Sequence, residues 1–391
     1  MESSQPFTTP NLSTAEPILS PEADPTPNWP QPPATPAPKN TVFFGPYGFR
    51  AGWGMAIFIV LWLIFTITGS IAGIAASGHL KEVVATQMKN SAQIQAWKQA
   101  HPNQKMTAAD RPGTKLNIPF EPAMVTVNDA VTFFGMLAAA FIFSRAERRR
   151  LAWYGIGRNR LSDFLPGAVW GLVALSLLVF ILRSLHLLYF DARLLSGSAL
   201  ILYALKWLIA FLFVGFAEEY FLRGYLQYTL TRGLMGLGKI ISPERTRMVA
   251  FWLAAFVMSI LFGMMHLGNE GENVLGILQV FIVGMVFSYA LWRTGSLWWA
   301  IGFHMAWDWA QSFLYGVPDS GNLSVGRLFQ THIAGKTILS GGVDGPEGSI
   351  LAVPVLLLMV VIIRFTTSPG PQPPLEQLPK AVPAPTQQLA A

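Results

Sequence analysis

Residues 199–230 read ALILYALKWLIAFLFVGFAEEYFLRGYLQYTL. The run is longer than the ~20 residues that cross a ~30 Å hydrocarbon core, yet it carries Glu218, Glu219 and Arg223 towards its end. An acid or base at the bilayer centre costs roughly 2.5–3.5 kcal/mol, so three of them demand a hydrated or paired environment. Glu219 and Arg223 are four apart and share a helical face, which suits an ion pair, while Glu218 is turned by about 100° and projects elsewhere. The stretch therefore reads as a membrane helix lining a polar cavity. The plainer alternative is a buried structural pair at a snorkelling helix end.

The rest of the chain agrees with a membrane helix. Of 391 residues, 52% are hydrophobic and only 12% charged, about half the charge of a soluble domain. With Trp 13 and Phe 27, that excludes a soluble α/β enzyme or a wholly disordered chain. Cysteine is absent, which removes disulfides, thiol catalysis, thiolate zinc and Fe–S clusters. Seven further apolar stretches are evident: Trp53–Ala76, Met124–Ser144, Phe164–Leu182, Val249–Met265, Val274–Trp292, Ser296–Tyr315 and Ile350–Ile363. Met124–Ser144 carries Asn128 and Asp129 at one end, and Ser296–Tyr315 contains His304 and Asp308. The predicted fold is all-α, a polytopic transmembrane helix bundle of about eight spans.

Eleven of the 28 prolines fall in residues 1–40 and seven in 365–391, so the ends are expected to be disordered Pro-rich tails, 1–45 and 366–391. Region 46–160 is read as two membrane helices with an extramembrane loop over 78–123, and 161–365 as the core. Six arginines in 145–160 place that loop on the cytoplasmic side. Both termini then come out cytoplasmic, as do 232–248, Arg293 and Arg364, in an integral, multi-pass protein of a bacterial plasma membrane. The net charge of +6 reads as topology, not as nucleic-acid binding. Gly69-x-x-x-Gly73 and Gly284-x-x-x-Ser288 mark close helix contacts.

Two further pairs sit on helices: Phe262 with His266, and His304 with Asp308, each four apart on one face. Only His266 and His304, of six histidines, lie within spans. A lone histidine there is more often a packing group. Two of them, with two intramembrane glutamates, form an inventory for activating water: a carboxylate base, imidazoles to share the proton or hold a metal, and donors for an oxyanion. Counting from the cytoplasmic ends puts His304 about 12 Å deep, Glu218 about 20 Å and His266 about 26 Å.

Glu-Glu-x-x-x-Arg at 218–223, Phe-x-x-x-His at 262–266 and His-x-x-x-Asp at 304–308, in that order on successive helices, resemble the motifs of the CAAX-protease and bacteriocin-processing (CPBP) family of intramembrane endopeptidases. The resemblance covers about residues 165–365 and includes GGVDGPEGS at 341–349. It implies that Glu218 and His266 activate water, that His304 and Asp308 stabilise the oxyanion, and that Glu219 and Arg223 order the site. Asp308 can donate a hydrogen bond only when protonated. A Zn2+ held by Glu218, His266 and His304 fits the same residues, although a metal-free glutamate reaction is favoured because protein groups already fill each role. The expected partners are a membrane-associated or lipidated protein or peptide substrate and the lipid bilayer.

Competing signals are weaker. There is no His-Glu-x-x-His, Gly-x-Ser-x-Gly or Gly-x-Gly-Asp, which disfavours zincin, serine and aspartyl types. Gly233–Lys239 is followed by Ile240, not Ser or Thr, and follows no strand, so no nucleotide is expected; it reads as a flexible turn. The tryptophans at 298, 299, 307 and 309 read as interfacial anchors and packing. Asp344 and Glu347 read as solvated loop residues, with Glu347 free to cap the last helix. A non-catalytic scaffold or immunity-type protein is the main alternative function. A proton-relaying transporter is the other, although no inverted repeat supports it.

Overall fold

The computed structural model describes residues 42–45, 48–102, 104–107, 118–269 and 271–375. Residues 1–41 and 376–391, where most of the two expected tails fall, lie outside them. The described chain runs through a short hairpin β1–β2 (Phe44–Gly45, Gly48–Phe49), then α1 (Ala51–Ala76), α2 (Leu80–Ala100), α3 (Pro122–Ala146), α4 (Phe164–Ser184), strand β3 (Leu188–Arg193) and α5 (Gly197–Glu219). The backbone then widens to a π-helical stretch, Tyr220–Leu226, before α6 (Gln227–Gly233), α7 (Met235–Ile241), α8 (Thr246–Met265), α9 (Val274–Thr294) and α10 (Trp298–Trp309). A second π-helical stretch, Ala310–Leu314, precedes strand β4 (Phe329–Ile333), α11 (Thr337–Ser340) and α12 (Ala352–Thr366). β3 and β4 pair antiparallel. The fold is an all-α bundle, and the chain is a multi-pass membrane protein.

Among the described residues, six helical segments are long and apolar enough to cross a membrane: Ala51–Ala76, Pro122–Ala146, Leu151–Ser184, Gly197–Gly233, Pro243–Met265 and Val274–Thr294. The other two apolar stretches form shorter helices, α10 of 12 residues and α12 of 15. α10 is apolar for another reason than lipid contact. Most of its residues, including Trp299, Ile301, Phe303 and Trp307, are buried inside the protein, as expected for a helix that is hydrophobic all round. Its backbone lies directly against α4: a Cβ at Gly167 would strike the Trp299 carbonyl oxygen, and one at Gly171 that of Phe303. Small residues permit this approach.

Local chemistry fixes several ends. Pro122 sits at the first turn of α3, where its missing N–H is harmless. The Asn273 side chain accepts from the Leu275 and Gly276 amides to start α9, and Gly295, at φ 69°, ends it. The loop 78–123 contains a whole polar helix, α2. Gly233–Lys239 is mostly helical, since α6 ends at Gly233 and α7 begins at Met235, so the flexible turn expected there reduces to Leu234.

The C-terminal tail expected from residue 366 is in place as far as Leu375. Its backbone carbonyls accept from Arg293 at Thr367 (2.8 Å), Arg160 at Ser368 (2.9 Å), Arg247 at Pro373 (2.6 Å), Tyr228 at Pro374 (2.6 Å) and Arg149 at Leu375 (2.8 Å). Proline offers no N–H, so an extended Pro-rich strap presents acceptors that arginines at helix ends can claim. Glu147, buried beside it, accepts from Arg149 (2.8 Å) and Arg232 (3.1 Å). The basic segments that the charge pattern groups on one side thus meet at one end of the bundle. Ending the chain at Thr366 is expected to lower the thermal unfolding temperature in detergent, each lost bond to an arginine being worth about 1.5–3 kcal/mol when buried. An unchanged melting curve would show the strap to be idle.

Candidate active site

The predicted residues converge where α5, α8, α9 and α10 meet. Glu219 is fully buried at the end of α5, and its Oε1 accepts from Arg223 Nη1 at 3.0 Å. The ion pair expected from the spacing is therefore present. The same Oε1 lies 3.1 Å from His304 Nδ1 on α10. His304 Nε2 faces two more carboxylates, Asp308 Oδ2 at 3.4 Å and Glu218 Oε2 at 3.7 Å. Both imidazole nitrogens thus point at carboxylate oxygens, an arrangement that suits the doubly protonated ring. Glu218 is the most exposed of the four, 29% at the side chain, while Glu219 is 0%.

Phe262 ties the third helix in. The Arg223 guanidinium lies over its ring at 4.3 Å, a cation–π contact made strong by burial, and the His304 ring packs edge-on to it at 6.4 Å. His266 follows the last turn of α8, its Nδ1 2.9 Å from the Phe262 carbonyl, which leaves Nε2 as the ring's other polar atom. Directly after Glu219 and again after Trp309 the backbone turns π-helical. Such widened turns recur at functional sites because they re-aim side chains without breaking the helix.

Glu218, His266, His304 and Asp308 all line one cavity of about 510 Å³, whose remaining wall is largely apolar: Phe211, Val214, Phe262, Val283, Phe287 and Phe303 among others. Trp307 lines it as well, whereas the indole N–H groups of Trp298 and Trp309 donate to the Gly157 and Ala204 carbonyls. The tryptophan cluster therefore serves packing and one contact with the cavity.

Several lining residues were not singled out by sequence. Asn128 and Asp129 of α3 lie on the wall, not merely at a span end. Asp319, Ser320 and Glu347, from the two loops before β4 and α12, line it as well. Glu347 is not a solvated cap. Its carboxylate accepts from the Ser320 amide and, at 3.1 Å, from the Ser320 hydroxyl, while the Ser349 hydroxyl accepts from Leu351 N at the start of α12. Asp344 is buried at 1% exposure with neither carboxylate oxygen hydrogen-bonded. The glycine-rich segment makes this possible: Gly341, Gly342 and Gly345 take φ of 86°, 63° and 111°, values that side chains resist. Glycine density and two acids in one short loop were the available signal.

These loop carboxyls are shifted by burial. Desolvation raises Asp319 to about 6, against the opposing hydrogen bond from Ser312 at 2.7 Å. Desolvation, then the neighbouring Glu272 and Asp319, raises Asp344 to about 7. Glu347 is raised well above its ordinary value by burial, then by Asp319 and Asp344. A carboxyl whose folded pKa is raised binds its proton more tightly in the folded state, so stability declines as pH rises from about 4 through the folded value and then levels. The thermal midpoint is expected to fall between pH 5 and pH 8. Asp344→Asn should flatten that slope, by an amount on the order of 3 kcal/mol over the range; a slope unchanged in the variant would contradict the assignment.

Among the described residues no group of three or more histidine or acidic side chains stands in a metal-holding arrangement. His266 is turned to its own helix, and the three carboxylates around His304 approach one ring, not a common point.

The family described as type II CAAX prenyl endopeptidase Rce1-like matches residues 199–310, the stretch that holds Glu218, Glu219, Arg223, His266, His304 and Asp308. The family resemblance read from the motifs is borne out over that stretch. No curated protein and no solved structure matches the chain significantly.

Proposed function

We propose that this chain, similar over residues 199–310 to the type II CAAX prenyl endopeptidases, is an intramembrane endopeptidase that cleaves membrane-associated or lipidated substrates with water activated by glutamate and histidine. The observation that carries this reading is the convergence of Glu218, Asp308 and Glu219 on His304, within 3.7 Å, at the wall of a largely apolar cavity. A buried pair serving structure alone needs one carboxylate, and it has Glu219 and Arg223. Glu218 is left over, half-buried and facing the cavity.

The roles follow from position. Glu218 takes a proton from water as that water attacks the scissile carbonyl carbon. His266, on the same cavity, is placed to hold the water's second hydrogen. His304, held as a donor by its carboxylates, points charge at the developing oxyanion, where a fixed donor in a dry site is worth far more than in bulk water. Asp308 and Glu219 orient the ring and balance its charge, and Arg223 anchors Glu219. The apolar lining suits a substrate segment arriving from the bilayer.

One sequence presented two ways tests substrate delivery. A peptide anchored to nanodiscs by a lipid is expected to be cut at least ten-fold more efficiently, in kcat/KM, than the same peptide free in solution. Equal rates would contradict delivery from the membrane. A strong chelator is expected to leave the rate within a factor of two; loss of activity restored by Zn2+ would instead assign Glu218, His266 and His304 as ligands.

A further inference from the structure

The cleavage step needs a proton for the departing amine, and the groups around His304 are all engaged on one wall. We propose that Asp129, on α3, is the general acid that delivers it, a role that rests on the endopeptidase reading above. Asp129 lines the cavity together with Glu218 and His304. Among the described residues no lysine or arginine forms a salt bridge with it.

Its position is built, not incidental. α1 lies against the backbone of α3 at this turn, because a Cβ at Gly69 would strike the Asn128 carbonyl oxygen and one at Gly73 that of Met124. Ser70 donates to Asn128 Oδ1 at 3.1 Å, which ties the residue next to Asp129 to α1. One turn further along the same face, Phe133 stacks on Phe216 of α5 at 4.8 Å, so α3 is fixed against the helix that carries Glu218. The small-residue contact of α1 therefore serves the cavity as well as packing.

Carboxyl groups that line one cavity in different environments divide into an acid and a base. Here the water oxygen bonds to the carbonyl carbon and its proton passes to Glu218. The carbon–nitrogen bond then breaks, its electron pair staying on nitrogen, as nitrogen takes the proton of the Asp129 carboxyl. Acid and amine products leave. Glu218 holds one proton and Asp129 has lost one, and a water in the cavity carries the proton back between them.

The test compares amide and ester substrates of one sequence in the same nanodiscs. An alkoxide or phenoxide leaving group depends less on protonation than an amine, so loss of a general acid falls mainly on the amide. Asp129→Asn is expected to slow amide cleavage about 100-fold and ester cleavage no more than about three-fold, with an unchanged melting temperature. Equal losses on both substrates, or an amide rate that does not fall, would overturn the assignment. Should Asp129→Asn misfold, Asp129→Glu, which keeps the carboxyl, is expected to retain the wild-type amide-to-ester ratio, and a ratio lowered as in a lost acid would count against the role. Glu218→Gln separates the two readings. If it spares both substrates, the endopeptidase mechanism fails; if it silences both while Asp129→Asn keeps the wild-type ratio, only the role of Asp129 fails.

Discussion

Glu218→Gln is expected to reduce peptide cleavage by about 10³-fold while leaving the melting temperature and detergent elution profile unchanged. The amide keeps the shape and most of the polarity of the side chain but cannot take a proton from water. Glu218 is also the least structural of the acids here: its one close polar contact is with His304 at 3.7 Å, and its side chain is 29% exposed to the cavity. A structural role predicts the opposite pattern, a shifted melting curve with no special effect on turnover. His304 would keep Glu219 and Asp308 in the variant, so a loss of rate reports the base and not a collapsed ring.

Arg223→Ala is expected to act through stability first. The guanidinium is fully buried, bonded to Glu219 and stacked over Phe262. Removing the guanidinium leaves the buried Glu219 carboxylate to His304 alone, which costs about 3–5 kcal/mol, enough to lower the unfolding temperature by many degrees in a bundle of ordinary stability. Arg223→Lys should recover little, because a single ammonium cannot bond Glu219 and lie flat over the Phe262 ring together. The double variant Glu219→Gln/Arg223→Met is expected to be more stable than Arg223→Ala alone, since it removes the under-paired charge, yet slow, since the Nδ1 partner of His304 loses its charge. Thermal unfolding and cleavage rates measured on the same preparations separate the two effects. A double variant no more stable than the single one would contradict the pairing.

Parts of this site were legible in the sequence because helical geometry is local. Four-residue spacing placed Glu219 with Arg223 and His304 with Asp308 on shared faces, and the structure has both pairs. Counting residues along separate helices could not bring Glu218 to His304, because tilt and uneven helix ends decide the relative depth of two helices. α10 starts only at Trp298 and is enclosed by protein, features that apolarity alone does not reveal. Asp129 looked like a polar fringe on a span, since the acids and histidines that share its cavity come from other helices. Asp344 and Glu347 looked solvated because an acid in a glycine-rich loop usually is, whereas Asp344 is buried and Glu347 accepts from the Ser320 amide and hydroxyl of another loop. The Pro-rich strap escaped notice for a related reason. Its composition offers no side chains to pack, and what holds residues 367–375 is their carbonyls, claimed by arginines that the charge pattern had assigned to open loops.

The most direct measurement is cleavage of a membrane-anchored peptide library in nanodiscs containing heavy-oxygen water, with products identified by mass spectrometry for wild type and Glu218→Gln side by side. The account predicts defined wild-type cuts, each new carboxyl carrying heavy oxygen, and their disappearance in the folded variant. Cuts that persist in Glu218→Gln, or folded wild-type protein that yields no cut across the library, would contradict it.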